Sequence, residues 1–267
     1  MTNIRNCTLN DLPKIHHLQP DEWEDIIPWF RFYCNNPFCH PVVAEDNHAI
    51  IGIGTAISNG NSGWLAQIIV EENHRGKGIG YAITKHLIQT LQLSGAGTIH
   101  LIATEMGFPL YVKMGFQKIT EYAFFRGTWN NEYHRHPNIR PFKKTDLALI
   151  TELDQKVSGE NRMPMLEKFS TNILVYEKNN HISGYFFQDF GEGMIIASDQ
   201  EAGIELLKLK LQSGKIKTVI PVENKSCISF LKGIGFEHYN SAQRMIHGSD
   251  FHWKPECIYS RAGGYYA

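Results

Sequence analysis

No stretch of this 267-residue chain stays apolar over the roughly 20 residues that a membrane span needs. The first residues, Met1-Thr2-Asn3-Ile4-Arg5-Asn6-Cys7, lack the apolar core of a secretion signal. Cysteine is sparse: Cys7, Cys34, Cys39, Cys227 and Cys257 are odd in number and form no Cys-x-x-Cys. Cys34, Cys39 and His40 are neighbours but fall short of a four-ligand zinc set. No metal site is expected, and the thiols are expected to be reduced, in a cytoplasmic protein that engages no membrane. A surplus of one charge is lacking too. Basic residues number 26 and acidic residues 27, leaving a net charge of −1, so bulk electrostatics points to no nucleic-acid partner. What is present is a globular composition, 42% apolar and 20% charged, long enough for two domains of ordinary size.

One stretch organises the rest. Trp64-Leu65-Ala66-Gln67-Ile68-Ile69-Val70 reads as a strand, and Tyr81-Ala82-Ile83-Thr84-Lys85-His86-Leu87-Ile88 as a helix. Between them runs Glu71-Glu72-Asn73-His74-Arg75-Gly76-Lys77-Gly78-Ile79-Gly80. A strand, a glycine-rich turn and a helix point free backbone N–H groups at one spot. The helix dipole adds to the attraction for an anion, usually a phosphate. Gly76, Gly78 and Gly80 keep Cβ atoms out of the ligand's path, and Arg75 and Lys77 add positive charge. A P-loop needs Gly-Lys followed by Ser or Thr, whereas Gly78 follows here. A dinucleotide fingerprint needs G-x-G-x-x-G, whereas the spacing here is G-x-G-x-G after a strand that does not open a βαβ unit. The remaining pattern, Arg-Gly-x-Gly-Ile-Gly, resembles the acetyl-CoA pyrophosphate loop of the GNAT N-acetyltransferases.

The flanking sequence reads as an α+β fold. A strand is expected over 3–7, then a helix capped by Asn10 or Asp11 with Pro13 in its first turn. An aromatic helix is expected over 21–34, carrying Trp23, Trp29, Phe30, Phe32 and Tyr33. Strands at 41–45, 49–57 and 63–70, joined by short turns, make an antiparallel meander. Ile79, Ile83, Leu87 and Leu91 give the following helix one apolar stripe, and 98–103 is a strand with a parallel neighbour. Downstream, Leu110-Tyr111 and Gly115-Phe116 have the spacing with which many GNAT enzymes leave this strand. Ala103-Thr104-Glu105 with Gly107 and Pro109 resembles, in part, one GNAT subgroup's variant of that turn, with Ile102 and Glu105 departing from it.

After an aperiodic linker over 127–137 the sequence restarts. Asn138-Ile139-Arg140, Thr145-Asp146-Leu147 and Ile150 repeat Asn3-Ile4-Arg5, Asn10-Asp11-Leu12 and Ile15 at a constant offset. Phe230-Leu231 and Gly235-Phe236 parallel Leu110-Tyr111 and Gly115-Phe116, with strands at 173–176 and 181–187 and a helix near 201–211. The expectation is two tandem GNAT-like domains, 1–130 and 137–267, each a mixed, mainly antiparallel sheet flanked by helices. The second copy has Ile196-Ala197-Ser198-Asp199-Gln200-Glu201-Ala202-Gly203 before its helix. It has no alternating glycines, and two carboxylates lie where a pyrophosphate would, which is repulsive. Together with Leu153-Asp154 and Ser158-Gly159-Glu160-Asn161-Arg162, it resembles the degenerate second domain of tandem GNAT proteins.

The resemblance implies acetyl transfer from acetyl-CoA, as co-substrate and without a metal, to a primary amine of a small molecule or peptide by direct attack. It puts the pyrophosphate on Arg75, Gly76, Lys77, Gly78, Ile79 and Gly80, and the pantetheine arm along Ile68, Ile69 and Val70. A backbone N–H near Val70 polarises the thioester carbonyl, and Tyr111 protonates the departing thiolate. Glu71 and Glu105 are the candidate bases, and Gln67 cannot serve as one. Freeing the lone pair of a lysine-like amine at pH 7 costs about 4.6 kcal/mol, and that of an α-amine about 1, so only the former demands a carboxylate. The degenerate domain is left to shape the acceptor cleft or a homodimer interface. The alternative reading is an acetyl-CoA sensor without turnover.

Overall fold

An arginine–carboxylate knot opens each repeat. Arg5 donates to both oxygens of Asp11 (2.9 and 2.9 Å) and to Glu45, and Asp11 also accepts the Thr8 N–H at 2.8 Å. Arg140 does the same with Asp146 (2.7 and 3.0 Å) and Glu177, and Asp146 accepts the Lys143 N–H at 2.7 Å. The guanidinium beside each aspartate holds its carboxyl below the usual range. Asp11, expected to cap a helix, is thus spent on the knot.

The computed structural model describes every residue except Met1, Glu22, Glu24, Asp250, Tyr265 and Ala267. Its contacts group Met1–Leu101 with His247–Ser249 as one unit, and Ile102–Ile246 with Asp250–Ala267 as the other. The sequence reading puts the boundary in the 127–137 linker. Packing puts it at Leu101, because the strand that follows takes both of its partners from the second half of the chain.

In the first unit β1 (Asn3–Asn6), β2 (Cys39–Asp46), β3 (Ala49–Asn59), β4 (Ser62–Val70) and β5 (Thr98–Ala103) lie in that order. The meander is antiparallel from β1 to β4, and β5 is parallel to β4, as the intervening helix requires. Helix α1 (Leu12–Ile15) has Pro13 in its first turn. Helix α2 (Ile26–Cys34) starts later than its aromatic content suggests, because the Asp25 carboxylate accepts the Ile27 N–H and caps it there. Glu22 and Glu24 of the expected longer helix lie outside the described residues, and Trp23 is exposed. Helix α3 (Ile79–Leu93) buries the expected stripe Ile79, Ile83, Leu87 and Leu91. At the far side of the unit, Ser249 bonds to the chain just before β5: its N–H reaches Gly97 O (3.1 Å) and its carbonyl accepts Thr98 Oγ1 (2.7 Å).

The second unit opens with α4 (Phe108–Lys113) and β6 (Gln117–Arg126), followed by β7 (Ile139–Pro141), α5 (Leu147–Ser158) and α6 (Met163–Leu166). Then come β8 (Ile173–Lys178), β9 (His181–Phe187), β10 (Met194–Ala197), α7 (Gln200–Gln212) and β11 (Thr218–Pro221). The unit closes with α8 (Lys225–Gly233), β12 (Glu237–Gly248) and β13 (Ile258–Ser260). One sheet runs β7-β8-β9-β10-β13, and β6 pairs with β12 on one side and β11 on the other. Residues 127–136 form no regular element, yet Trp129 packs on the core around Leu206, Leu207 and Phe236. A fully buried pair, Arg162 with Asp154 (2.6 Å), ties α5 to the turn before α6, and Tyr185 donates its hydroxyl to the same carboxylate. No helix among the described residues is long and apolar enough to cross a membrane.

Candidate coenzyme loop and catalytic tyrosine

Two irregularities in β4 leave part of its edge open and shift its register. Its parallel pairing with β5 stops after Ser62–Thr98, Gly63–Ile99 and Trp64–His100. Trp64 stacks on His100 with ring centroids 5.1 Å apart, and beyond that pair the edge of 65–70 takes no strand partner on this side among the described residues. Gln67, Ile68 and Val70 are only half-buried there. The second irregularity is a bulge: pairing with β3 shifts between Ile53–Ile69 and Thr55–Ala66, so Gly54 faces both Gln67 and Ile68. Gln67 takes φ +48°, a left-handed conformation that a non-glycine residue adopts at a cost, and its Oε1 is buried without a protein partner.

The loop follows at once. Glu71 N–H closes on Ile51 O (2.9 Å), a 3-10 turn spans Glu72–His74, and Arg75 N–H donates to Glu72 O (3.1 Å). Gly76 (φ +75°) and Gly78 (φ +82°) then adopt the left-handed conformation, which is why glycine alternates here. Ala82 N–H is the first to close on the helix, at Gly78 O (3.0 Å), and no side chain caps the helix start. The N–H groups of 76–81 therefore have no acceptor among the described residues, and the dipole of the 15-residue helix adds to them. Because Arg75 N–H is already used, the run of donors begins one residue later than the expected Arg75–Gly80 set. The Arg75 side chain turns back, with Nε on Val70 O (3.1 Å), while Lys77 is exposed.

Tyr111 belongs to the second unit. The turn before α4 is closed by Gly107 N–H on Thr104 O (3.1 Å), and Phe116 N–H returns to Tyr111 O (3.0 Å). That return brings the Phe116 ring edge-on to Tyr111, with centroids 5.8 Å apart, and accounts for the Leu-Tyr and Gly-Phe spacing. Tyr111 is 9% exposed, and burial pushes its phenol up to about 12. Its hydroxyl has no protein partner among the described residues. In the parallel place, Phe236 N–H returns to the O of the fully buried Leu231 at 2.9 Å.

Neither candidate base is set apart by its surroundings. Glu71 Oε2 lies 2.7 Å from His74 Nδ1, and Glu105 is exposed on a turn. The bulge at Gln67 escapes sequence reading, since nothing in Ala66-Gln67-Ile68 marks a left-handed residue. Half-buried Trp29, Phe32 and Phe38 stand edge to face on and beside α2 (ring centroids 6.0 and 6.4 Å apart), while Phe30 and Tyr33 are core.

The model of the acetyltransferase (GNAT) family matches residues 6–116, and that of an acetyltransferase (GNAT) domain matches residues 150–260. The chain belongs to the GNAT acetyltransferase family, as two such domains in tandem. Among solved structures it is similar to a protein of Pyrococcus horikoshii described as an acetyltransferase: 20% identity, 100% of this chain, 96% of that one, TM-score 0.86. A tandem GNAT protein from the clavulanic acid biosynthesis pathway matches at 13% identity over 94% of this chain and 100% of that one, TM-score 0.60. A GCN5-related N-acetyltransferase from Sphaerobacter thermophilus matches at 12% identity over 92% and 95%, TM-score 0.64. At these identities the likeness is one of fold. No curated protein matches the sequence.

Proposed function

We propose that the chain transfers an acetyl group from acetyl-CoA to a primary amine of a small molecule or peptide, and that its first unit takes the coenzyme. The observation that carries this reading is the row of unpaired N–H groups over 76–81, held by two left-handed glycines at the start of a long helix. A pyrophosphate supplies the acceptors and the charge that such a row lacks. The open edge of Ile68, Ile69 and Val70 offers the pantetheine amides strand-like partners, and a backbone N–H near Val70 serves the thioester oxygen. The acceptor's lone pair attacks the carbonyl carbon, the C–S bond breaks, and the thiolate accepts the proton of Tyr111. The amine loses its own proton to water, and water returns a proton to the Tyr111 phenolate.

Nothing around Glu71 or Glu105 favours a base, which suits an acceptor whose lone pair is freed at pH 7 for only about 1 kcal/mol, an α-amine rather than a lysine-like one. The same feature supports a second reading, acetyl-CoA binding without turnover. Release of free CoA from acetyl-CoA across a panel of primary amines, including an α-amino amide and a lysine side-chain analogue, separates them. Acceptor-dependent release from the α-amine is expected. Tight acetyl-CoA binding with no release from any amine would favour the sensor, and no binding would remove both.

A further inference from the structure

The second unit has the same cleft, and the chain itself fills it. In the first unit β4 and β5 pair only at their starts and leave an open edge. Their counterparts are β10 and β11, and between them lies β13. Ile195 pairs with Ser260 and Ile196 with Ile258 on the β10 side. On the other side Arg261 N–H donates to Val219 O (3.2 Å). Asn224, which caps α8, gives its Nδ2 to Ile258 O (3.0 Å). Lys210 Nζ bonds Ser260 Oγ (2.8 Å), and Glu192 N–H takes Ala262 O (2.7 Å).

The Tyr259 side chain completes the seal. It lies against Gly203 in the first turns of α7, where an added Cβ would stand 2.3 Å from the ring. Its hydroxyl meets Ser226 Oγ at 3.2 Å. The helix start itself is closed, because Asp199 accepts the Ala202 N–H (2.9 Å). A cavity of about 290 Å³ remains at the mouth, and its lining includes Asp199, Glu223 and Glu256 against Lys225. That balance is the wrong sign for a pyrophosphate.

We propose that residues 257–262, with the strand β13 at their centre, are a built-in segment standing in the second unit where the coenzyme's arm lies in the first, so that each chain takes one coenzyme. The backbone groups of β10 and β11 that a ligand's amides would otherwise satisfy are satisfied by the chain. The count of one coenzyme rests on the function proposed above. The occupancy of the second cleft does not.

Hydrogen exchange of the intact chain, read by peptide with and without coenzyme A, tests both parts. In the free protein, 257–262 should exchange at least 1,000-fold more slowly than the same sequence as a synthetic peptide, as a core strand does. Exchange at the rate of the free peptide would overturn the proposal. Adding coenzyme A should slow exchange at 76–81 and leave 198–203 unchanged, with one equivalent bound. New protection at 198–203, or two equivalents, would also overturn it. If coenzyme A protects nothing, the proposed function fails, while slow exchange of 257–262 still upholds the strand. Tyr259→Ala should speed exchange of 195–203 and 257–262 together and spare 76–81. Speeding neither segment would refute the seal.

Discussion

Gly78 is where the coenzyme assignment can be weighed most directly. Two substitutions there share one cost and differ in another. At φ +82° any L residue pays for the left-handed conformation, about 1–2 kcal/mol, so Gly78→Ala and Gly78→Glu should both lower the melting temperature by a few degrees. Space is not at issue, since a Cβ at Gly78 would meet nothing within 4 Å. The difference is the carboxylate. Placed at the start of α3, among the unpaired N–H groups, it competes for them and repels the phosphates. At roughly 5 Å each pair of unit charges costs about 0.8 kcal/mol even in bulk water. Two phosphate charges therefore set a floor near 1.7 kcal/mol, roughly a 20-fold loss of affinity. Calorimetric titration with acetyl-CoA should find Gly78→Ala within about 3-fold of the wild type and Gly78→Glu weaker by 20-fold or more, with the gap narrowing at 1 M salt. The helix dipole works the other way on stability, because a glutamate at the N-terminus favours the helix. A loss of binding therefore cannot be put down to a melted helix. Equal affinities for the alanine and glutamate variants would refute the placement of a pyrophosphate on this loop.

Three other outcomes are expected. Tyr111→Phe should cut turnover on the responsive amine by 100-fold or more, with acetyl-CoA affinity kept and melting almost unchanged. Unchanged turnover would take Tyr111 out of the reaction, and lost binding would make it structural. Gln67→Gly removes a left-handed non-glycine residue and should hold or raise the melting temperature, whereas a loss above about 2 kcal/mol would mean that the Gln67 side chain supports the fold. Lys210, fully buried, is held down to about 7 by desolvation, while the unfolded lysine keeps its proton to about 10.4. The unfolded state thus binds the extra proton between those values, so stability should climb as pH rises from 7 to 9. Lys210→Met should flatten that climb in pH-dependent melts, and an unchanged slope would assign it to another group.

What could be read from the sequence was local, and what could not was decided by partners far along the chain. The loop was legible because its glycines answer to their own backbone angles. Gly76 and Gly78 sit at positive φ whatever lies around them. The repeat was legible at Arg5–Asp11 and Arg140–Asp146, where the aspartate lies six positions after the arginine in both copies. The third members of the two knots, Glu45 and Glu177, escaped, because they lie at corresponding places on β2 and β8 but 40 and 37 positions after their arginines, which breaks the constant offset. Gln67 escaped for a related reason: a bulge depends on a register with β3 that Ala66-Gln67-Ile68 does not carry. The end of the chain is the clearest instance. Ile258-Tyr259-Ser260 is too short for any period, and its strand character comes wholly from β10 beside it and the Val219 carbonyl beyond. The same physics governs the open edge in the first unit, where no chain segment supplies the missing partner among the described residues. One copy satisfies this edge from within and the other leaves it free, and only the copy with the free edge has the left-handed glycines and unpaired N–H groups on which the proposed coenzyme site rests.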